Sequence, residues 1–420
     1  MIEPMSQLVC RICHSGELEE IWNLGSLAMS GVFYFPEEEQ DFAEISFNFC
    51  TNCGLSQLGG GYENSRLYGS RYGYESHLNS SMATHLVEKA KKLEERYVSD
   101  SQGVFAIDIA SNDGILLSGF GSRVSRLIGI DPLISNFQDH YPDRAEKREG
   151  FFSDHLVSDI SKHSVDIITS CSVLYDIESP VSFAKTISSL LSNRGVWHTE
   201  QSYLPLMIET LSYDTICHEH LLYLRLADIF EICQKSNLKI INVEFNDVNG
   251  GSVAVDIARR DSSHKEVANL SQLIEDEESS TIIWREKLKQ FVLKAEHHQR
   301  KLNALLKQFR VQGFEIVGLG ASTKGNILLQ TCDLSFMSRI GEVNPNKFGL
   351  LTPGTNIKIV PESEILKLDA SQKVCALILP WHFSKGIKAK SREFLQNGGV
   401  LVIPLPSIEI IDRNGSRIFE

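Results

Sequence analysis

The chain has 420 residues, 42% of them hydrophobic and 23% charged, the balance of a folded protein of several domains rather than a disordered one. Lys and Arg number 41 against 54 Asp and Glu, a formal net charge of −13, which argues against a nucleic-acid partner or an anionic membrane surface. No apolar run is long enough to span a bilayer. The first residues have neither the basic nor the apolar stretch of a secretory leader, so the chain reads as cytoplasmic. Nine Cys, four of them in two Cys-x-x-Cys pairs, then point to metal more than to disulfides.

The first block, residues 1–67, carries Cys10-x-x-Cys13 and Cys50-x-x-Cys53, separated by 36 residues, with strand-like pieces such as Ile45–Phe49. Two such knuckles supply four thiolates to one tetrahedral Zn²⁺, and the metal replaces the core that so small a module lacks. Four protein ligands leave no open position, so Cys10, Cys13, Cys50 and Cys53 are expected to hold a structural ion. Between His14 and Phe49 there is no Lys or Arg and there are eight acidic residues, so the module is expected to hold or cover another part of the protein.

Residues 68–262 open with a Tyr-rich stretch and a helical pattern over His85–Tyr97. Apolar runs then alternate with helical ones: Val104–Ile109, Arg126–Ile130, Val165–Ser170, Gly195–Glu200, Leu238–Val243 and Ser252–Ala258. That alternation predicts a mostly parallel, doubly wound sheet. Residues 263–312 read as a helical connector with no turn signal from Thr281 to Arg310. A second alternation over 313–420 (Phe314–Leu319, Ser338–Val343, Val374–Leu379, Gly399–Ile403) predicts another, smaller Rossmann-like unit.

The run Phe105-Ala-Ile-Asp-Ile-Ala-Ser-Asn-Asp-Gly114 is a strand ending in small residues, and Asp131 ends the next strand 23 residues after Asp108. An acid at that place holds ribose hydroxyls in a Rossmann unit. A dinucleotide prefers Gly-x-Gly-x-x-Gly, where a helix N-terminus meets a pyrophosphate. Here the spaced positions are Ala110, Asn112 and Gly114, flanked by Asp108 and Asp113. An acidic small-residue loop suits a cationic, phosphate-free ligand such as S-adenosylmethionine. Gly150-Phe-Phe-Ser-Asp154 offers aromatic surface for an adenine at Phe152. In the last unit, Gly318-Leu-Gly320-Ala-Ser-Thr-Lys324-Gly-Asn326 follows a strand and opens a helix, chemistry that suits a diphosphate. Glu342-Val-Asn344 ends the following strand, where a base or ribose would lie.

Several motifs, in order, resemble the three-domain sugar C-methyltransferases of deoxysugar pathways: the paired Cys-x-x-Cys with Cys53-Gly-Leu-Ser-Gln57, Tyr72-Gly-Tyr74, Asp108-Ile-Ala-Ser-Asn-Asp-Gly-Ile-Leu116, Gly129-Ile-Asp-Pro132 and Glu200-Gln-Ser-Tyr-Leu204. Tyr213-Asp-Thr-Ile-Cys-His-Glu-His220, Asn249-Gly-Gly-Ser252, Gly318–Asn326, Asn344-Pro-Asn-Lys-Phe-Gly349, Pro353-Gly-Thr355 and Leu379-Pro-Trp381 continue the set. The resemblance implies an α/β protein with a zinc-binding N-terminal domain, a central Rossmann-like methyltransferase domain using S-adenosylmethionine, and a C-terminal Rossmann-like domain. It implies a nucleotide-diphosphate-linked 4-keto-deoxysugar as substrate, methylated on the carbon next to the ketone, usually C3.

Such a carbon must first lose a proton, which needs a base and a group that stabilises the enolate oxygen. The resemblance maps the base onto His220, with Glu219 and His218 beside it and Tyr72 or Tyr74 over the sugar. Tyr203, Asn249, Gly318, Gly320, Lys324, Asn326 and Asn344 are the expected substrate contacts. Two departures stand in the expected active site: Tyr175-Asp176 where much of the family has Ala-His, and Cys217 where a Tyr commonly precedes His-Glu-His. Cys217 reads as packing, and Cys171, Cys233, Cys332 and Cys375 read as core residues. An O-methyltransferase acting on a nucleotide sugar and a non-catalytic, zinc-stabilised binding protein remain as alternatives. The chain is expected to be a monomer or small homo-oligomer.

Overall fold

The computed structural model describes residues 8–60, 64–69, 72, 74–137, 140–277, 280–367 and 372–419. The first seven residues, on which the leader reading partly rests, and Gly73 lie outside them. The strands in chain order are β1 (Leu18–Ala28), β2 (Phe42–Cys50), β3 (Ser56–Gly59), β4 (Val104–Ile109), β5 (Val124–Asp131) and β6 (Ala145–Glu149). Then come β7 (Val165–Cys171), β8 (Leu191–Ser202), β9 (Leu222–Tyr223), β10 (Leu238–Asn246), β11 (Ser252–Arg259) and β12 (Glu315–Leu319). The last are β13 (Arg339–Glu342), β14 (Lys358–Pro361), β15 (Val374–Ile378), β16 (Val400–Ile403), β17 (Glu409–Asp412) and β18 (Gly415–Ile418).

They form three sheets, ordered β1-β2-β3-β9, β10-β11-β8-β7-β4-β5-β6 and β14-β13-β12-β15-β16-β17-β18. The central sheet is parallel from β6 to β8. It is not parallel throughout, because β11 runs antiparallel to both β8 and β10. The last sheet is parallel from β14 to β16 and closes on the antiparallel β17 and β18. In each sheet the strand order reverses once beside a central strand, β4 in one and β12 in the other. That reversal opens a crevice outside the carboxyl ends of the strands, where ligands of such folds bind.

The apolar runs foreseen as strands are strands, because runs buried on both faces are largely apolar; β4 is buried at every position. Some are missed because they are short, such as the two-residue β9 and the four-residue β14, and one because it is polar. Strand β6 reads Ala-Glu-Lys-Arg-Glu and sits at a sheet edge with exposed side chains, where charge discourages further pairing. The connector resolves into a short helix, Leu270–Asp276, and a 31-residue helix, Thr281–Val311. Its buried face, with Trp284, Leu288, Phe291, Ala295, Leu302 and Leu306, keeps helical spacing along its length. This helix contacts all three units. Arg285 and Lys289 pair with Glu19, and His298 lies between the Tyr213 hydroxyl (3.0 Å) and the Pro404 carbonyl (2.7 Å).

The Cys-rich module is joined to the central unit by backbone. β3 pairs with β9 through Ser56–Tyr223 and Gln57–Leu222, two residues after His220. Beneath this junction Arg225 is 2% exposed. It donates twice to Asp228 (3.0 and 2.8 Å) and once to the Cys53 carbonyl (3.3 Å). Breaking a buried ion pair from one side leaves the other charge unmatched, at a cost of about 3–5 kcal/mol. Arg225→Ala is therefore expected to lower the thermal unfolding midpoint sharply. A calorimetric scan beside the parent protein checks this.

Candidate active site and metal centre

The two knuckles share one local geometry. His14 and Gly54, each just after the second Cys of its pair, have φ of 60° and 85°. Their N–H groups donate to the carbonyls of Cys10 (2.9 Å) and Cys50 (2.8 Å). Each turn thus aims two sulfurs at one point. Cys10 Sγ is 3.5 Å from Cys53 Sγ, Cys13 Sγ is 3.6 Å from Cys50 Sγ, and all four lie within 4.8 Å of one another. A tetrahedral Zn²⁺ with bonds of about 2.3 Å separates its sulfurs by about 3.8 Å, so the donor set fits the ion. The thiols compete for charge. The Cys53 thiol holds Cys10 down to about 5, and burial pushes Cys50 up to about 11. A divalent cation removes that competition.

Between the two crevices lies a cavity of about 320 Å³ whose wall draws on all three units. At the β4 end stand Asp108, Ala110, Asn112 and Asp131. Asp108 accepts from the Thr169 hydroxyl at 2.6 Å. Burial, with Asp131 and Asp113 nearby, lifts its carboxyl to about 7. Asp131 accepts from the N–H of Asn112 (2.9 Å) and Leu133 (2.7 Å), and burial raises it too. Two buried carboxyls that repel one another and have no cation between them suit a positively charged ligand. The residues therefore fit S-adenosylmethionine, whose sulfonium and ammonium supply that charge.

At the opposite wall stand His220, Glu219, Tyr175, Asp176, Asn249 and Lys324. His220 Nδ1 donates to the Thr215 carbonyl at 2.8 Å. This fixes the tautomer and leaves Nε2 as a free acceptor. Burial and then the Lys324 ammonium push its pKa down to about 3, so the ring is neutral. The Tyr175 ring leans on it, centroids 4.2 Å apart. Asp176 accepts from the Tyr68 hydroxyl at 2.9 Å, and burial holds its carboxyl well above the usual range. Of the two departures, the Tyr175-Asp176 pair therefore faces the cavity, and Cys217 is not among its lining residues.

Glu219 accepts from the Ser30 hydroxyl at 3.1 Å, and burial raises it. Gly31 packs so closely that an added Cβ would stand 2.2 Å from Glu219 Oε1. The Cys-rich module thereby holds the carboxyl next to His220. Tyr72 and Tyr74 line the same cavity, with Tyr72 against Tyr68 at 5.0 Å between ring centroids.

Other expected contacts lie elsewhere, each for a visible reason. His218 turns away from the cavity, its Nε2 3.3 Å from the Ala43 carbonyl, and burial pushes it down to about 4. Gly114 is small because Tyr141 packs on it: φ is 75° and a Cβ would come within 2.8 Å of that ring. Phe152 packs edge-on against Phe183 at 5.2 Å, and its neighbour Phe151 faces the cavity instead. Tyr203 donates to Glu277 at 2.6 Å and borders only a small side pocket behind His220. Gly318 lies under Ile340 and Gly320 against Pro380, so both serve packing.

Asn326 donates to the Ser30 carbonyl (2.7 Å) and keeps its Oδ1 buried without a partner, while Asn344 donates to Glu75 (2.9 Å) and accepts from the Asn346 N–H (2.9 Å), so neither amide N–H group is turned to the cavity. Glu342 is spent on the N–H groups of Ala321, Val343 and Asn344. Cys217 is buried, with burial raising its thiol well above the usual value, as expected of packing. Cys171 borders the cavity and is not purely a core residue. Tyr68, Phe151, Lys347 and His382 also border it without having been singled out in the sequence. The signal for Tyr68 was its spacing of four from Tyr72.

Three family models match in succession: "Putative zinc binding domain" over residues 10–68, "Methyltransferase domain" over 83–243 and "C-methyltransferase C-terminal domain" over 247–406. The chain is 24% identical over 420 residues to C-methyltransferase NovU of Streptomyces niveus, covering 98% of each. Among solved structures, the trans-methyltransferase CalH in complex with SAH is 12% identical, covering 42% of this chain and 58% of that one at a TM-score of 0.34. The mitomycin 7-O-methyltransferase MmcR is 14% identical over 44% and 56%, at 0.32. At such scores these superpositions place no residue.

A methyltransferase domain fused to these neighbours, with a cavity fit for a sulfonium, makes the chain an S-adenosylmethionine-dependent methyltransferase. Its matches in order are those of a C-methyltransferase family, and it is a homologue of a C-methyltransferase. They favour neither the O-methyltransferase reading nor the non-catalytic one. No helix among the described residues is long and apolar enough to cross a membrane.

Two outcomes are expected. Cys10→Ser should lower both metal content and thermal stability, read by elemental analysis and a melting curve, because a structural site contributes its binding energy to folding. Because Asp108 must be ionised to meet a cation, affinity for S-adenosylmethionine should rise as pH climbs toward about 7 and then level off. Titration calorimetry between pH 5.5 and 8.5 (roughly a pH unit and a half either side of 7) checks this.

Proposed function

We propose that the protein methylates a carbon of a nucleotide-linked 4-keto-deoxysugar, at the position next to the ketone, with C3 the expected site. The observation that carries this is that one cavity joins the Asp108–Asp131 end to a neutral, acceptor-ready His220 and to the loop at the end of β12. A methyl donor at the first end and a sugar at the second meet in the space between.

Asp131 and Asp108 orient the cofactor, which supplies an electrophilic methyl group when bound. His220 Nε2 takes the proton from the carbon beside the ketone. Its Nδ1 stays anchored on Thr215, so the ring holds one orientation while its charge changes. Tyr175 and the buried Glu219 restrict the ring and the segment that carries it. Enclosure excludes water, which strengthens the interactions that stabilise the enolate. The helix Thr323–Thr331 opens beside the cavity, with Ser322 capping it onto the Gly325 N–H at 3.1 Å. Together with Lys347, 9% exposed, it provides positive potential for the diphosphate.

Incubation with isotopically labelled cofactor and a panel of nucleotide 4-ketosugars tests this reading. A new C–CH₃ resonance by NMR is the expected product, and an O–CH₃ resonance alone would sink it. In the same assay His220→Ala should keep cofactor affinity and lose about 10²–10⁴-fold in turnover, the usual range for a general base. Near-normal turnover in that variant would remove His220 from the role.

A further inference from the structure

Two lysines border the cavity, and neither forms an ion pair with any described residue. Lys347 is buried and Lys324 half-buried; Asp214 acts on Lys324, and Glu342 and Glu75 act on Lys347, without a direct ion pair. A desolvated ammonium that lacks a direct partner is ordinarily matched by an anion. The two sit in different surroundings. Lys324 Nζ donates to the Asn249 carbonyl at 2.9 Å and lies on the side of the segment that carries His220. Asp214, the acid that acts most on it, accepts from the Trp381 indole N–H at 2.8 Å through Oδ2 and makes no ion pair with it, while its Oδ1 is buried without a hydrogen-bond partner. Residue 215, next along, is the anchor of His220. Lys347 Nζ donates to the Ala321 carbonyl at 2.8 Å and lies over the Phe33 ring, 4.7 Å from its centroid. It therefore supports the loop that opens the helix Thr323–Thr331.

We propose that these lysines divide the work: Lys324 is a catalytic residue that stabilises the enolate oxygen, and Lys347 holds the diphosphate. The inference rests on the ketosugar reading above. In a 4-ketosugar reacting at C3, the keto oxygen is two bonds from the carbon that loses its proton. The nearest phosphorus is four bonds away. With that carbon at His220 Nε2, the oxygen falls on the lysine flanking His220 and the phosphate falls farther off.

The step balances. The C–H electron pair becomes the C=C bond, the proton goes to His220 Nε2, and the carbonyl π pair moves onto the oxygen beside the Lys324 ammonium. With the methyl donor bound, the C=C π pair would form the C–CH₃ bond as the oxygen pair returns to re-form the C=O bond, and the pair of the broken S–CH₃ bond would stay on sulfur in the departing S-adenosylhomocysteine. The lysine matches charge only once the enolate exists, so it favours the transition state over the ground state. An imidazolium beside an unmatched ammonium is unfavourable. The enolate charge between them removes that penalty when His220 must accept the proton.

Proton exchange separates the two roles without methyl transfer. The protein is incubated in D₂O with a nucleotide 4-ketosugar and S-adenosylhomocysteine, and deuterium entry beside the ketone is followed by NMR. Loss of one oxyanion donor costs about 10²–10³-fold. Lys324→Met should therefore lose at least about a hundredfold in exchange at saturating substrate, with substrate affinity little changed. Lys324→Arg, which keeps the charge, should recover part of it. Lys347→Met should bind the nucleoside diphosphate alone at least about tenfold more weakly, a loss that Lys324→Met should not show.

Cofactor affinity by calorimetry verifies folding in each variant, and Lys324→Gln stands in should the Met variant misfold. Wild-type exchange with Lys324→Met unimpaired, or with diphosphate affinity lost at Lys324 rather than Lys347, overturns the assignment alone. A wild-type protein that exchanges no proton from any 4-ketosugar overturns the ketosugar reading and this assignment with it.

Discussion

The constraint on which the active cavity depends is a two-residue strand. Leu222–Tyr223 leaves the central unit and completes the sheet of the Cys-rich module. A strand that pairs must present its N–H and C=O groups in register. The pairing therefore fixes the chain immediately after His220, while the Thr215 carbonyl fixes the ring itself. Arg225 and Asp228 lock the junction from beneath, and Ser30 and Gly31 of the same module close on Glu219. The four-cysteine site lies at this junction, with Cys10 and Cys50 packed in one core with Leu221 and Leu222, and is thus coupled mechanically to the segment that carries His220. The four sulfurs hold the knuckles, the knuckles hold β1 to β3, and those strands hold the segment that carries His220.

The second organising feature is electrostatic. One end of the cavity is lined by the carboxyls of Asp108 and Asp131, with no lysine or arginine among the lining residues there. The two lysines, Lys324 and Lys347, stand in the other part of the wall, where neither has an ion pair with a described residue. Left empty, each end raises the cost of its own charges: Asp108 rises toward neutrality, and burial lowers Lys324 and Lys347. A cationic donor at one end and an anionic acceptor at the other relieve both. The net charge of −13 says nothing about this separation, which is local.

Much of the fold was legible because burial writes a plain pattern. Strands buried on both faces stand out as largely apolar runs, uninterrupted in β15 and broken by single polar residues such as Asp108 in β4 and Asp166 in β7. Edge strands such as β6 are invisible because their side chains meet water and carry no apolar signal. The antiparallel β10 and β11 could not be told from parallel strands, since direction depends on the connection and not on composition. In the site, residue types that need a special environment were legible: the paired Cys, the acids after β4 and β5, and the His-Glu-His run. Asn326, Asn344 and Tyr203 were not separable from true cavity residues, because a polar side chain spent on Ser30, Glu75 or Glu277 looks the same in one dimension.

What the sequence determined by itself is therefore the set of chemical capacities. It holds a four-thiolate metal site, an acidic small-residue turn suited to a cation, an imidazole able to accept a proton and a basic loop after a strand, because each depends on residue type at short spacing. Only the tertiary structure decided how they are used. It placed Lys324 beside His220, Tyr175 and Asp176 in the cavity wall, and His218 away from it. It also made a lysine from the last sheet, Lys347, part of the same wall. Those outcomes follow from how two strand-order reversals and one small sheet face each other, a long-range packing arrangement that no local run of residues encodes.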